Sequence, residues 1–289
     1  MVYLVAITFL WAFSFSLIGV YLAGQVDAYF SVLTRVALAA VVFLPFLRPV
    51  PARLAAKLMA LGAIQLGCMY VFYYQSFLLL TVPEVLIFTI LTPVYVTLIF
   101  DLLQGRFSFR YLITASVAVL GAAIIRYSAI GDQIFIGFLV VQGANLCFAL
   151  GQVGYKILLE REKLELPQRA VFGYFYLGAL VVTLITWFMF GNPAKLPTTS
   201  LQWEVLIYLG LIASGLGYFF WNKGATKVDA GTLAIMNNAL VPAGLIVNLL
   251  IWTREANLTR LALGGGVLLF SLLLHEYWGK HPKLRPGYS

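Results

Sequence analysis

The sequence predicts an all-α polytopic membrane protein, ten transmembrane helices arranged as two inverted five-helix repeats. Three observations carry that expectation. Hydrophobic residues fill 62% of the 289 positions and charged residues only 10%, a balance far outside soluble composition. Apolar runs of about 17 to 25 residues, long enough to cross a bilayer, recur along the whole chain. The stretch SGLGYFFWNKGATKVDAGTLAIMNNALVPAGLIVNLLIWTRE at 214–255 also has a counterpart at 66–106. Gly67 falls on Gly215, Tyr70 on Tyr218 and, after a one-residue gap, Pro93 on Pro242.

In order, the runs cover 2–22, 29–47, 57–80, 83–103 and 110–126, then 134–156, 170–190, 204–224, 230–252 and 259–277. The first run has no Lys or Arg ahead of it, whereas a secretory signal opens with a positive segment, so it reads as a retained span. Breaks follow helix-stopping or charged residues: Gln25 and Asp27, Arg48-Pro49 with Pro51 and Arg53, then Thr81-Val82-Pro83-Glu84. The longest connection, 160–169, is charged and holds Pro167. Residues 1–126 thus form a first repeat, 127–132 an inter-repeat loop, 133–277 a second repeat and 278–289 a basic cytoplasmic tail. Five spans per half is an odd number, so the second half enters the membrane from the opposite side.

Nineteen Lys and Arg against eleven Asp and Glu give a net charge of +8. No basic patch interleaves with aromatics as nucleic-acid recognition would need, so no nucleic acid is expected as a partner. The charge reads as topology instead. One side collects Arg48, Arg53, Lys57, Arg106, Arg110, Lys156, Arg161, Lys163, Arg169, Lys223, Lys227, Lys280, Lys283 and Arg285; the other collects Arg126, Lys195, Arg254 and Arg260. By the positive-inside rule both termini face the cytoplasm, and the expected location is the inner cell membrane.

Cys68 and Cys147 sit inside apolar runs without disulfide or metal-ligand spacing. The two histidines, His275 and His281, lie at or beyond the last span, and neither HExxH nor GxxxxGK[ST] occurs. These features argue against an intramembrane enzyme, and no cofactor or metal is expected. Paired prolines in repeat-related helices point to a secondary transporter whose halves meet near the bilayer midplane, with a small molecule and the lipid bilayer as partners. The competing class is a membrane receptor or sensor without transport, which would not require such halves; flux in liposomes separates the two.

Short motifs then carry a resemblance: Leu10-Trp11-Ala12, Thr34-Arg35 with Ala39-Ala40, Leu91-Thr92-Pro93-Val94, the run 218–222, Val241-Pro242, and Glu255 followed by Leu258-Thr259. In this order they resemble the drug/metabolite transporter superfamily, in its EamA-like ten-helix form, over nearly the whole chain. Part of the sequence also looks like the subgroup of carboxylate, amino acid and amine transporters. The resemblance implies a secondary carrier, often an exporter or exchanger of metabolites or drugs, with spans one to four and six to nine around a cavity and five and ten outside. One departure stands out: the family's glutamate after the proline helix is kept as Glu255, whereas Gly105 takes the first-half place.

The candidate site lies between spans one, three, four, six, eight and nine, at the level where Pro93 and Pro242 interrupt their helices. Trp11 and Tyr70 are favoured as cavity wall, with Tyr73, Tyr74, Tyr218 and Trp221 assigned to belt or packing. Thr89 and Thr92 join from span four, and Asn145 from the polar stripe Gln142, Asn145, Gln152 of span six. Asn237 and Asn238, just before Pro242, read either as substrate contacts or as interhelical hydrogen bonds. Arg35 sits roughly 10 Å inside span two at 1.5 Å per residue, a depth at which a charge is costly. It either snorkels or pairs with Asp27 or Glu84, or it acts as a gate or a contact to an anionic group; a gate of Arg35 and Glu84 is expected on the outer side. Lys223 and Lys227 need only the topology rule. Gly264-Gly265-Gly266 and Gly121-Ala122-Ala123 suit either internal packing or a homodimer contact.

Overall fold

The computed structural model describes residues 1–103, 105, 133–162 and 166–252, with isolated positions inside 113–120 and 263–277. Eight helices in it are long and apolar enough to cross a membrane. They are α1 (Val2–Leu22), α2 (Ala28–Phe46), α3 (Ala52–Leu79), α4 (Val82–Leu103), α5 (Gln133–Glu162), α6 (Gln168–Phe190), α7 (Ser200–Ala225) and α8 (Ala230–Trp252). Among the described residues there is no strand. Helices α1 to α4 take the places of spans one to four, and α5 to α8 those of spans six to nine. Spans five and ten, the inter-repeat loop and the basic tail fall outside the described residues, apart from scattered positions such as Gly266.

The polar residues that marked the breaks act as caps. The Asp27 carboxylate accepts the Phe30 amide at 2.8 Å and starts α2, while Thr81 with Glu84, and Thr199 with Gln202, form reciprocal capping boxes at α4 and α7. Several helices outrun their apolar cores: α3 begins at Ala52 and α5 continues to Glu162. The charged segment after span six is therefore partly helical, stapled by Lys156 and Glu160 one turn apart at 2.7 Å. Hydropathy locates the lipid boundary, whereas the helix ends where its backbone hydrogen bonds do.

The bundle is apolar outside and polar within. Val5, Phe9 and Phe13 of α1 and Val181, Ile185 and Phe188 of α6 are exposed, whereas Ser16, Gln65, Gln152, Asn222 and Asn248 are buried. Asn248 donates to Ser16 Oγ at 3.1 Å and joins α8 to α1. Helices α3 and α6 cross through Gly62 and Gly178, where a Cβ on either would overlap the carbonyl of Phe175 or Met59 respectively; small residues let backbones approach this closely.

The helix ends separate into two layers. On one side the Lys57–Glu162 ion pair, the Arg48 amide donating to the Ala170 carbonyl and Gln168 donating to Thr226 hold three connections together, with Lys223 and Lys227 over the Tyr3 ring. On the other, Asn192 donates its amide to the Asp27 carboxylate at 3.0 Å, and Gln202 donates to Gln25 at 3.3 Å. The basic residues expected to share a face do so wherever these contacts reach them.

Candidate functional site

The site starts from a defect in α4. Pro93 has no amide to give the Thr89 carbonyl, and the helix tightens into a 3-10 turn at Thr89–Leu91 before resuming at Thr92. The freed carbonyls find side chains: Thr92 Oγ1 donates to the Thr89 carbonyl at 2.7 Å, while Asn145 Nδ2 and Gln142 Nε2 donate to that of Phe88 at 3.0 and 3.2 Å. Thr92 also reaches Asn145 Oδ1 at 3.2 Å. Irregular backbone at membrane depth survives only where protein or a cavity satisfies it, and the polar stripe of α5 does that here. Helix α8, in contrast, runs unbroken through Pro242. The second expected interruption is thus a missing donor rather than a break.

Around this junction lies a cavity enclosing about 620 Å³ of unoccupied space, its open mouth included. Of the residues singled out from the sequence, Trp11, Tyr70, Thr89, Thr92, Asn145 and Asn237 line it. Asn238 does not; its Oδ1 is buried without a partner among the described residues. Tyr73 and Tyr218, assigned to belt or packing, face the cavity instead, and Tyr74 and Trp221 are buried behind it. Ser14, Phe15, Met69 and Phe148 complete much of the wall and escaped the sequence reading. Ser14 lies one helical turn beyond Trp11, and Met69 adjoins Tyr70, so a strict facing argument from the favoured aromatics could have reached Ser14.

Toward the basic end an aromatic and amide layer borders the cavity. The Trp11 ring lies 4.8 Å from Tyr218 and 4.9 Å from Trp221 between centroids, and its Nε1 donates to the Ala213 carbonyl at 2.9 Å. Gln152 Oε1 accepts from Trp221 Nε1 at 3.0 Å and from Asn237 Nδ2 at 3.2 Å, while its Nε2 donates to Asn237 Oδ1 at 3.2 Å. One glutamine thereby ties α5, α7 and α8. Asn237 both lines the cavity and bonds between helices.

Arg35 reaches the cavity wall from α2 although only 2% exposed. Its Nε donates to Ser214 Oγ at 3.1 Å, Nη1 to the Tyr74 hydroxyl at 3.0 Å and Nη2 to the Tyr70 hydroxyl at 2.8 Å. The expected gate with Glu84 is not formed, nor a pair with Asp27. Glu84 spends its carboxylate on the Thr81 amide and hydroxyl, each at 2.8 Å, and Asp27 on the amides of Phe30 and Asn192. Local capping satisfies both acids at the helix ends, which leaves the deeper guanidinium to hydroxyls. Among the described residues no group of three or more His, Cys, Asp or Glu could hold a metal ion.

Apolar flanks, a polar interior and a hollow lined by aromatic and polar side chains define an all-α polytopic membrane protein. Comparison with known proteins supplies the family. Residues 135–275 match the EamA-like transporter family. A "Probable biotin transporter" of Pseudomonas aeruginosa is 59% identical over 276 residues, covering 95% of this chain and 96% of that protein. The "Biotin transporter" of Salmonella typhimurium and that of Escherichia coli K12 are each 52% identical over 281 residues, 96% of this chain and 93% of theirs. A solved chain described only as "Crystal structure of protein" shares the fold at a TM-score of 0.64 and 16% identity, over 95% of this chain and 97% of its own. The chain belongs to the EamA-like transporter family of the drug/metabolite transporter superfamily, and it is a transporter of small metabolites.

Proposed function

We propose that this chain carries biotin across the inner cell membrane by alternating access around the central cavity. The observation that carries the reading is identity of 52 to 59%, over more than nine-tenths of both chains, with proteins named for biotin transport. The cavity chemistry agrees. Biotin joins a compact ureido-thiophane ring system to a five-carbon carboxylate chain, and the aromatic rings of Trp11, Tyr218 and Phe148 offer faces for such rings, while Thr92, Asn145 and Asn237 offer donors and acceptors to a ureido group.

The proposal includes the ten-span topology with inverted halves and both termini in the cytoplasm. Two features support the repeat. Tyr70 and Tyr218, equivalent in the two halves, meet at 5.6 Å between ring centroids, and the equivalent Gly67 and Gly215 both lie in π-helical stretches, Ala63–Cys68 and Tyr208–Leu216. Rocking of one half on the other would then part Trp11 of α1 from Tyr218 and Trp221 of α7 and open the cavity toward the basic end. The test is a bacterium that neither makes nor imports biotin, expressing this chain. Saturable biotin uptake, lowered by Trp11→Ala at equal membrane abundance, is expected; full abundance without biotin uptake would overturn the reading.

A further inference from the structure

The cavity wall holds a buried positive charge that no acidic side chain among the described residues neutralises. Arg35 forms no ion pair among the described residues; its three bonds go to the uncharged oxygens of Ser214, Tyr74 and Tyr70. Hydroxyls solvate a guanidinium but leave its charge standing, and an uncompensated charge at membrane depth is costly. The arrangement is nonetheless built. Tyr70 and Ser214 bond each other at 2.8 Å, the guanidinium carbon lies 4.3 Å from the Tyr70 ring centre, and residues from α2, α3 and α7 converge on one cation. Of the five N–H donors on a guanidinium these bonds use three, which leaves one on each terminal nitrogen. Two such donors are what a carboxylate takes in a bidentate pair.

We propose that Arg35 is a carboxylate-binding subsite, so that the transported molecule is a monocarboxylate bound as its anion, its charge cancelling that of Arg35 in the loaded cavity. Tyr74 and Ser214 are positioning residues that fix the guanidinium plane, and Tyr70 both positions it and faces the cavity. The inference rests on the transporter reading above and adds the substrate class to it: a biotin whose carboxylate is masked should be refused, and other carboxylates of similar shape admitted more weakly.

Binding to the purified full-length chain, read by calorimetry with biotin, biotinamide, lipoate and lipoamide, tests this. The wild type should bind each acid at least about tenfold more tightly than its amide, as loss of a charge-assisted bidentate pair implies. Arg35→Gln should bring the acid-to-amide ratio close to one, Arg35→Lys should keep part of the preference, and Ser214→Ala should weaken it. If Arg35→Gln fails to fold, the wild-type ratio and that of Tyr74→Phe decide alone. Equal affinity of the wild type for biotin and biotinamide overturns the subsite and leaves biotin transport standing. Tight lipoate binding that depends on Arg35, with no biotin binding, overturns the biotin reading and leaves the subsite standing. An acid preference that survives in folded Arg35→Gln, or no binding of either acid, overturns the subsite.

Discussion

Asn145, Asn237 and Asn238 are chemically alike and sit in three different situations. Asn145 serves the Phe88 carbonyl, Thr92 and the cavity at once; Asn237 is shared between the cavity and Gln152; Asn238 stays out of the cavity. Asn145→Ala is therefore expected to cost about 1 kcal/mol of stability, the usual worth of such a hydrogen bond, and to lower biotin affinity as well. Asn238→Ala should leave affinity unchanged. Melting temperature and biotin binding on the same two preparations check this, and equal loss of affinity in both would contradict the cavity assignment. From the sequence, adjacent Asn237 and Asn238 looked equivalent, because a one-residue step turns a helix by about 100° and which face met the interior was not written in the local residues. The depth of Arg35 was legible by counting; its partners were not, since they come from residues 35 to 179 positions away.

At the scale of elements, helix positions followed from apolar runs, and their ends from capping residues. Asp229 illustrates the second. At the start of α8 it accepts from the Thr232 amide and hydroxyl, each at 2.8 Å, and these bonds hold its carboxyl below the usual range. A depressed folded-state pKa means that the cap contributes above the ordinary carboxylate pKa and is lost as pH falls through the folded value. Asp229→Ala should thus lower the melting temperature at neutral pH by the equivalent of about 1 kcal/mol, and the gap to wild type should shrink in acid; a gap independent of pH would contradict it. The crossing of α3 and α6 makes a different forecast. A methyl at Gly178 meets the Met59 backbone, so Gly178→Ala should cost about 1 to 3 kcal/mol, as overpacking does, with biotin affinity of the folded fraction intact. Paired prolines were visible in the sequence, but whether each breaks its helix depended on long-range partners: beside Pro93 the side-chain amides of α5 donate to the freed Phe88 carbonyl, and α8 continues through Pro242.

For the molecule as a whole, composition alone made the membrane assignment, because so few charged residues cannot cover a soluble surface. The same excess of apolar side chains hid the cavity, since an interior wall, a packed core and a lipid-facing surface draw on the same residues; aromatic Tyr73 and Tyr218 were assigned to belt or packing for that reason. The proposed topology predicts that reporter fusions after Lys283 and within 81–84 report opposite compartments, cytoplasmic and external respectively; the same compartment for both would remove the ten-span arrangement. The central claim, a biotin carrier built around this cavity, is tested most directly by counterflow of labelled biotin into vesicles that contain the purified chain and are preloaded with unlabelled biotin. The account predicts transient, saturable accumulation of label above its equilibrium level, absent when the vesicles are empty. Label entering no faster than into protein-free vesicles, with the chain folded and inserted, would contradict it.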